Sequence, residues 1–377
     1  MKSFDILVVG AGIVGSAVAR ECALLGWQVG VVSGGTLAGS ATAAGMGHVV
    51  VMDDSPAQLA LTAYSQSLWH QLAAHLPKSA EYEGCGTIWV AADDEDMVQV
   101  PAKHALYARF GIETNILSAA QLAHAEPNLR RGLIGGLLVP ADGIVYPPAV
   151  ASYFLAEATR LGAEIFPARA VSAAHGEVRL NTGAVLAADR IVLAVGADCK
   201  LLPALPIQRR KGHLAITDRY PGFVRHQLVE LGYLKSAHTL TEDSVAFNIQ
   251  PRQTGQLLIG SSRQYGSTGP EIEPEMLRRM LDRAIEYMPS LDNLSSLRTW
   301  TGFRAATPDK LPCIGSASGL SDDATLWLAT GFEGLGITNA PGAARLLVAA
   351  MTAQTPAIDV TPYLPARMKA QVSMPYA

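Results

Sequence analysis

The stretch Phe4-Asp5-Ile6-Leu7-Val8-Val9-Gly10-Ala11-Gly12-Ile13-Val14-Gly15 joins a short apolar run directly to a glycine-rich turn. Residues 16–25 are mostly small and apolar and end at Gly26, which is typical of a closely packed helix. Residues 28–32 are typical of a second strand. Strand, glycine turn, helix and strand in this order predict the βαβ unit that binds dinucleotides.

Each glycine of this turn has a separate task. Gly10 makes the tight turn, Gly12 lets the backbone approach a pyrophosphate, and Gly15 lets the helix pack closely on the strand. Ile13 and Val14 lie in the first turn of the helix, where unpaired N–H groups and the helix dipole favour negative charge. A Rossmann-like turn without a ligand is the simpler alternative.

The acidic residue that this unit usually carries at the end of its second strand is missing. Ser33 occupies the position, 18 residues after Gly15. A hydroxyl can make one hydrogen bond to a ribose but offers less acceptor capacity than a carboxylate. The motif alone therefore does not decide between FAD and NAD.

The composition indicates a folded chain with a sizeable core. Of the 377 residues, 49% are hydrophobic and 16% are charged, which predicts one large or two closely linked domains and argues against disorder. The net charge is −4 without a basic run, which argues against nucleic acid as a partner. Because neither a Sec-type signal nor an apolar run of about 18 residues is visible, we expect a cytoplasmic protein without a transmembrane segment.

The four cysteines, Cys22, Cys85, Cys199 and Cys313, form no CxxC pair, and no His/Cys cluster has zinc-like spacing. The sequence therefore predicts no metal site, and buried reduced thiols are the simpler interpretation. Any iron–sulfur cluster would lie in another chain.

A run of small residues follows the second strand. Residues 39–47 are Gly, Ala, Ser and Thr apart from Met46. Such backbone can lie flat against a planar ring system and present its N–H groups to ring acceptors; a flexible loop is the alternative. His48 comes directly after the run and lies either near the ring or on the surface. The buried strand at 188–195 ends in Gly196, a second place where backbone can approach a cofactor.

The rest of the chain divides by its periodicity. Helices are predicted near residues 58–76, 95–110, 149–161, 275–287 and 336–352, and a hairpin turns at Asn181-Thr182-Gly183. From Pro206 to about Arg298, strand-like pieces alternate with turns. This alternation indicates an antiparallel sheet inserted between halves of the nucleotide-binding domain.

Six motifs follow one another along nearly the whole chain: residues 10–15, 41–46, 142–147, 192–197, 302–315 and 330–341. In this order and spacing they resemble the D-amino-acid oxidase family of FAD-dependent oxidoreductases, which includes glycine oxidase, sarcosine oxidase and D-amino-acid dehydrogenase. Residues 45–54 and 210–214 resemble a narrower branch. That branch holds D-hydroxyproline dehydrogenases and the FAD-carrying β subunits of opine oxidases and hydrogen cyanide synthase.

The resemblance implies an α/β fold, with a glutathione-reductase-like FAD-binding Rossmann domain and an inserted mixed or antiparallel substrate domain. It implies that residues 1–80, 143–205 and 300–377 form the FAD-binding domain. Residues 81–142 and 206–299 would then form the substrate domain. It also implies FAD rather than NAD at the glycine turn.

The resemblance further implies the residues of the site. Arg304 matches the family's carboxylate-binding arginine, since a guanidinium fork binds a carboxylate in bidentate fashion; a structural surface arginine is the alternative. His48 and Tyr233 complete the expected catalytic set. Tyr265, His213 and His226 lie in the same predicted substrate domain as Tyr233, and the sequence does not rank these four residues. Family members often carry His where Phe332 stands. The expected FAD-binding residues are Gly10, Gly12, Ile13, Val14, Gly15, Ser33, Thr42, Ala43, Ala44, Gly45, Met46, Val171, Gly196, Gly302, Gly331, Gly334, Leu335, Gly336, Ile337 and Thr338.

The expected activity is FAD-dependent oxidation of a D-amino or imino acid by hydride transfer to flavin N5, with D-hydroxyproline or D-proline as the leading substrates. The expected partners are this small molecule and an electron acceptor other than oxygen. Two alternatives are a peroxide-forming amino-acid oxidase and the FAD-carrying β subunit of a heteromeric opine or amino-acid dehydrogenase with iron–sulfur partner subunits. Relatives that react with oxygen often use a lysine near the flavin, and the sequence assigns neither Lys211 nor Lys310 to that role.

Overall fold

The computed structural model describes residues 2–35, 40–232, 243–267 and 269–371, and its strands form two large sheets with helices packed around them. The strands are β1 (Lys2–Val9), β2 (Val29–Val32), β3 (His48–Val49), β4 (Thr87–Ala91), β5 (Asn115–Ser118), β6 (Gly135–Val139), β7 (Gly143–Ile144), β8 (Glu164–Phe166), β9 (Ala170–Ala174), β10 (Glu177–Leu180), β11 (Val185–Leu193), β12 (Gln208–Thr217), β13 (Gln227–Glu230), β14 (Ser244–Pro251), β15 (Leu257–Arg263), β16 (Ser296–Ala306), β17 (Cys313–Ser316) and β18 (Leu326–Thr330). The helices are α1 (Ile13–Leu24), α2 (Ala41–Ala44), α3 (Pro56–Ala73), α4 (Asp94–Arg109), α5 (Ala119–Ala125), α6 (Pro147–Arg160), α7 (Pro274–Tyr287), α8 (Gly336–Met351) and α9 (Met368–Gln371).

The first sheet has the strand order β17-β18-β11-β1-β2-β8, with β10 and β9 added beside β11. From β18 to β8 the strands are parallel, and β17 pairs antiparallel at the edge. β1 pairs with β2 and is connected to it through α1, which confirms the predicted βαβ unit. Helices α1, α6 and α8 share an apolar core with one face of this sheet, and β9 and β10 contribute to the core on the other. Burial on both faces explains why these strands are almost continuously apolar.

The second sheet has the order β16-β12-β15-β14-β13-β4-β6-β5, and β13 with β4 is its parallel pair. Helix α7 covers one face, where the rings of Phe247 and Tyr287 stack at 4.5 Å between centroids. Because side chains alternate along a strand, Asn248 and Gln250 of β14 point to the opposite face. That opposite face contacts Met46 and His48, which lie outside the second sheet.

One strand lies on both sides of a predicted domain boundary. β4 to β6 and β12 to β15 come from the residues predicted for the substrate domain, whereas β16 crosses the boundary predicted at residues 299/300. Residues 302–304 belong to this long strand, which pairs with β12 over its whole length. The predicted hairpin at residues 181–183 is confirmed by the antiparallel pairing of β10 with β11.

Candidate active site

The turn between β1 and α1 leaves no room for side chains at two of its three glycines. A Cβ on Gly10, whose φ is +111°, would lie 2.4 Å from the carbonyl oxygen of Ala194, and a Cβ on Gly15 would lie 1.9 Å from the carbonyl oxygen of Gly10. The packing of the protein itself therefore requires both glycines. Within 4 Å, a Cβ on Gly12 would meet one described atom, Thr42 Oγ1 at 3.2 Å. The space beside Gly12 is thus the place where a pyrophosphate can approach.

Two helix N-termini meet beside this space. α1 begins after Gly12 and α8 begins after Leu335, and neither of these N-cap residues forms a side-chain capping bond. A Cβ on Gly336 would lie 4.0 Å from Cγ2 of Val14, so the two helix ends are adjacent. Helix N-termini favour anions through their N–H groups and dipoles. These features fit a bound FAD, whose diphosphate the 10–15 turn would hold and whose ring the 331–336 turn would hold.

Residues 42–48 run from α2 into β3 and connect the glycine turn to the second sheet; we call this segment the bridging loop. Its contacts, from the first sheet to the second, are Thr42 Oγ1 with the N–H of Ile13 (3.0 Å), the Ala44 carbonyl with Nε1 of Trp300 (3.2 Å), the Met46 carbonyl with Nε2 of Gln250 (2.6 Å), and the His48 ring with Gln227 and Asn248. Ile13 lies in α1, and the other partners lie on β16, β14 and β13 of the second sheet. The loop therefore crosses the face of the second sheet that α7 leaves uncovered.

Small residues allow this close crossing. A Cβ on Gly302 would lie 2.4 Å from Cβ of Ala44, and a Cβ on Gly45 would lie 2.7 Å from Cδ1 of Ile337. Met46 packs in a small core cluster with Leu214 and Leu258. The structure thus brings together several residues that were predicted to bind the cofactor, from three distant parts of the chain.

Arg304 projects from β16 on the same face, over Gly212 of the neighbouring strand β12. A Cβ on Gly212 would lie 2.5 Å from Nη1 of Arg304. Nη1 donates to the carbonyl oxygen of Ser262 at 3.0 Å, and a Cβ on Gly334 would lie 3.5 Å from Nε. The guanidinium therefore lies between the second sheet and the turn before α8, partly buried rather than on the surface.

We expect Gly212→Ala to lower kcat/KM for a carboxylate substrate about tenfold, because the added methyl group displaces the Arg304 guanidinium. The φ of Gly212 lies outside the left-handed region, so the backbone itself accepts alanine. Steady-state kinetics of the purified flavoprotein measure the effect. Gly84→Ala is the matched control, since a Cβ there would meet nothing within 4 Å. Unchanged kinetics in Gly212→Ala would separate Arg304 from the substrate.

His48 is partly buried at the end of the bridging loop and is held through both ring nitrogens. Nδ1 pairs with Oε1 of Gln227, and Nε2 lies 3.3 Å from Nδ2 of Asn248. Burial lowers the pKa of His48, the hydrogen bond to Gln227 opposes this effect, and the positive charge of Arg304 adds to it. The ring is therefore neutral near pH 7. His48 forms a polar wall of the candidate site.

A buried acidic network lies behind the bridging loop. Oδ1 of Asp142, a fully buried residue, accepts from the N–H of Val51 at 3.1 Å and from Nε2 of Gln66 at 2.6 Å. Burial raises the pKa of Asp142 to about 7 from its ordinary value of 3.8. The charge of Lys103, which is buried in an ion pair with Asp53, opposes this rise only in part. Asp142 is therefore protonated at mildly acidic pH.

The contribution of Asp142 to the free energy of unfolding is expected to fall between about pH 4 and pH 7, and Asp142→Asn should remove this fall. The folded protein keeps the proton up to about pH 7, whereas the unfolded chain releases it near pH 3.8, so the folded state loses stability as the pH rises through this window. The displacement corresponds to roughly 4 kcal/mol. Thermal midpoints of the two proteins at pH 5 and pH 8 check this. The same difference at both values would contradict the prediction.

Three predicted residues lie away from the bridging loop. Ser33 follows β2 and its hydroxyl donates to the carbonyl oxygen of Gly35 at 3.3 Å. Val171 lies in β9 and is 52% exposed. Gly196, with φ of +60°, accepts from the Thr330 hydroxyl at 2.9 Å and so joins the turns that follow β11 and β18. The role of each of these three residues in cofactor binding remains a prediction.

The hydroxyl of Thr338 is used within the protein. It donates to the carbonyl oxygen of His48 at 2.9 Å and accepts from the N–H of Val50 at 3.3 Å, which fastens α8 to the bridging loop. Phe332, at the position where relatives often carry His, is buried in the core of the first domain. Tyr233, which was predicted as catalytic, lies outside the described residues.

Sequence reasoning missed Gln227, Asn248 and Gly212. Their place in the site depends on pairing between strands that are far apart in the chain. A weak signal exists for two of them. A glycine inside a strand often marks a close approach, and in β14 the polar Asn248 alternates with apolar neighbours at the period of a strand with two different faces.

Within the described ranges, no group of three or more His, Cys, Asp or Glu residues could hold a metal ion. The four cysteines are free thiols. Burial raises the pKa of Cys22 to about 12 and that of Cys313 to about 11, so both thiols are protonated and weakly nucleophilic at neutral pH. In the same part of the chain, no helix combines the length and the apolar character that spanning a bilayer requires.

Comparison with known proteins extends this description. The family model for FAD dependent oxidoreductases (DAO) matches residues 5–350. The glycine oxidase of Pseudomonas aeruginosa is 27% identical over 389 aligned residues, which cover 96% of this chain and 98% of the relative. The hydrogen cyanide synthase subunit HcnC of the same organism is 24% identical, with 98% and 97% covered. The structure of L-proline dehydrogenase from P. horikoshii superposes with a TM-score of 0.85 at 22% identity, covering 98% and 99% of the two chains, and confirms the predicted fold.

Proposed function

Because the chain belongs to the family of FAD-dependent oxidoreductases and FAD is its cofactor, we propose that it oxidises the carbon–nitrogen bond of a small amino or imino acid. D-hydroxyproline and D-proline are the leading substrates. The observation that carries this proposal is the position of the Arg304 guanidinium, between the second sheet and the turn before α8. The relative named glycine oxidase supports a substrate of the amino-acid class.

The residues of the chain orient such a substrate. The Arg304 fork binds a carboxylate in bidentate fashion, and the bond from Nη1 to the Ser262 carbonyl holds the fork in place. The apolar cluster of Met46, Leu214 and Leu258 lies on the same side of the sheet, where it excludes water and so strengthens the attraction between carboxylate and guanidinium. FAD, when bound, supplies the acceptor for the hydride equivalent. The substrate nitrogen must be neutral to react, and the neutral ring of His48 places no cation beside it.

Anaerobic reduction of the flavin tests the substrate class. The purified flavoprotein is mixed in turn with D-hydroxyproline, D-proline, L-proline, glycine, N-methylglycine and an opine, and the loss of the flavin absorbance band is followed. We expect a D-imino acid to bleach the band fastest. Pyrrolidine, which lacks the carboxylate, is the control and should react poorly. A protein without a flavin band, or a band that no member of the panel bleaches, would refute the proposal.

We also propose that the electrons pass to an acceptor other than oxygen. Lys211, the lysine within the 210–214 motif, is 1% exposed and its Nζ donates to Glu273 at 3.1 Å, so this ammonium group is committed to an ion pair. Oxygen activation by Lys211 is therefore disfavoured. Peroxide release, measured against reduction of an artificial dye, decides the question. Peroxide formation at the rate of substrate oxidation would favour the oxidase alternative.

A second candidate function is that of the FAD-carrying β subunit in a heteromeric dehydrogenase. The match to a relative named as a subunit of hydrogen cyanide synthase favours it. In that case iron–sulfur clusters would lie in partner chains, and small cysteine-rich subunits should co-purify with this chain from its native host. Full activity of the isolated chain would exclude an obligatory role for such partners.

A further inference from the structure

A series of hydrogen bonds determines the orientation of the Gln227 side chain. Its Nε2 donates to the carbonyl oxygen of Gly143 at 2.8 Å and to Oγ1 of Thr87 at 3.2 Å. A backbone carbonyl oxygen can only accept, so the atom that faces Gly143 must be the amide nitrogen. Oε1 is therefore the atom that meets the ring of His48.

The orientation of Gln227 determines the tautomer of His48 and then the orientation of Asn248. Because Oε1 only accepts, Nδ1 of His48 carries the proton, and Nε2 of the neutral ring is left as an acceptor. Nε2 accordingly accepts a hydrogen bond from the Nδ2–H of Asn248 at 3.3 Å. The Asn248 amide is thereby oriented with Oδ1 away from the ring.

The oxygen of this amide is a buried acceptor. Asn248 is only 9% exposed, and among the residues that the structure describes nothing donates to its Oδ1. A buried acceptor without a donor destabilises a fold. A ligand with an N–H or O–H group would supply the missing donor to Oδ1 of Asn248.

Asn248 and Arg304 act on the same face of the second sheet. Asn248 pairs with Gly260 of β15, and Ser262, whose carbonyl holds Arg304, lies two residues farther along that strand. The positive charge of Arg304 also acts on the ring of His48, which Asn248 contacts. Asn248 and Arg304 therefore serve one site, which suits a small zwitterion that carries a carboxylate at one end and N–H groups at the other.

Building on the proposed function, we propose that Oδ1 of Asn248 accepts the N–H of the substrate while Arg304 binds its carboxylate, and that Gln227 is a positioning residue that orients Asn248 through His48. The site then selects primary and secondary amino acids. Tertiary amines, which have no N–H when neutral, fall outside its range. With its N–H bound in this way, the nitrogen is presented in a fixed orientation relative to the carboxylate.

Substrate analogues that cannot reduce the flavin test the acceptor directly. Each pair consists of an oxygen analogue, in which O replaces the substrate N–H, and a carbon analogue, in which CH₂ replaces it. For proline the pair is tetrahydrofuran-2-carboxylate (oxygen) and cyclopentanecarboxylate (carbon). For N-methylglycine it is methoxyacetate (oxygen) and butanoate (carbon). Dissociation constants come from the perturbation of the flavin spectrum of the holoenzyme. We expect the oxygen analogue to bind the wild type about tenfold more weakly than the carbon analogue, because two acceptors then face each other. In Asn248→Leu the ratio of the dissociation constant of the oxygen analogue to that of the carbon analogue should approach one.

Gln227→Met tests the positioning role separately. Methionine has a similar size but offers no comparable acceptor to Nδ1, so the His48 proton can move to Nε2 and the Asn248 amide can turn round. The ratio of the two dissociation constants should therefore fall as in Asn248→Leu, while FAD stays bound. Gln253→Met is the matched control. Gln253 is exposed in the turn between β14 and β15, where its Nε2 donates to the carbonyl oxygen of Tyr82 at 3.0 Å, and its substitution should leave the ratio unchanged.

The outcomes separate the two proposals. A wild-type ratio equal to that of Asn248→Leu, no binding of either analogue pair, or loss of the ratio in Gln253→Met would each overturn the acceptor site. An unchanged ratio in Gln227→Met would overturn the positioning role. If the expected ratios appear but no amino acid reduces the flavin, the acceptor site stands and the proposed function fails. If amino acids reduce the flavin without these ratios, only the acceptor site fails.

Discussion

Arg304→Lys is expected to slow reduction of the flavin by a carboxylate substrate ten- to a hundredfold while FAD stays bound. Lysine keeps the positive charge but loses the planar fork that Arg304 holds against the Ser262 carbonyl, so a carboxylate is bound without a fixed orientation. The loss of a charge-assisted bidentate contact is worth about 1.5–3 kcal/mol, which gives this factor in the rate. Misorientation also moves the reacting C–H away from its acceptor.

Stopped-flow measurement of the flavin band under anaerobic conditions separates these effects. An amine without a carboxylate should reduce the flavin of the variant and that of the wild type equally slowly. Arg278→Lys is the matched control, since Arg278 is exposed on α7 and pairs with Glu275 at 2.8 Å. Equal reduction kinetics of Arg304→Lys and the wild type with a carboxylate substrate would remove Arg304 from the site.

Gly12→Val is expected to abolish FAD binding and to leave the protein folded. Within 4 Å, a Cβ at this position would meet one described atom, the Thr42 hydroxyl at 3.2 Å, so the chain itself can accommodate a side chain with a small shift. The pyrophosphate cannot, because the valine occupies the space through which it approaches the backbone. Gly15→Val should behave differently. Its Cβ would lie 1.9 Å from the Gly10 carbonyl oxygen, so the βαβ unit itself would be disrupted.

The flavin content of the purified proteins and their far-ultraviolet circular dichroism distinguish these two results. Gly12→Val should give a colourless protein with the secondary structure of the wild type, and Gly15→Val should give little folded protein. Retention of stoichiometric FAD by Gly12→Val would show that the cofactor is bound elsewhere.

The parts of the fold that sequence predicts well are those determined by neighbouring residues. The βαβ unit follows from a glycine spacing within a dozen residues, and the helix predicted at 336–352 is α8 (Gly336–Met351). The helix predicted from residue 58 begins at Pro56 because the side chain of Ser55 caps it and accepts from the N–H of Gln58 at 3.1 Å. Local propensity and capping were sufficient for these elements.

The features that sequence could not provide depend on pairing between distant strands. The partly buried position of Arg304 results from the pairing of β16 with β12, which sets Gly212 beneath the guanidinium. For His48 the sequence left a choice between ring and surface, and the structure holds its imidazole between β13 and β14. Neither arrangement leaves a periodic signal in its own segment. The same reason explains the boundary at residues 299/300, which falls inside β16.

The bridging loop has a consequence for how substrate range can evolve or be engineered. Residues 42–48 fall in the part of the chain predicted to form the FAD-binding domain, yet they pack against β16, β14 and β13 of the second sheet. A chimera that took residues 206–306 from a relative would pack the strands of that relative against the bridging loop of this protein. The side chains that hydrogen-bond to Ala44, Met46 and His48 would then differ from the native ones. The transplantable unit is therefore discontinuous, and a change of specificity needs coordinated substitutions in two stretches that lie far apart in the gene.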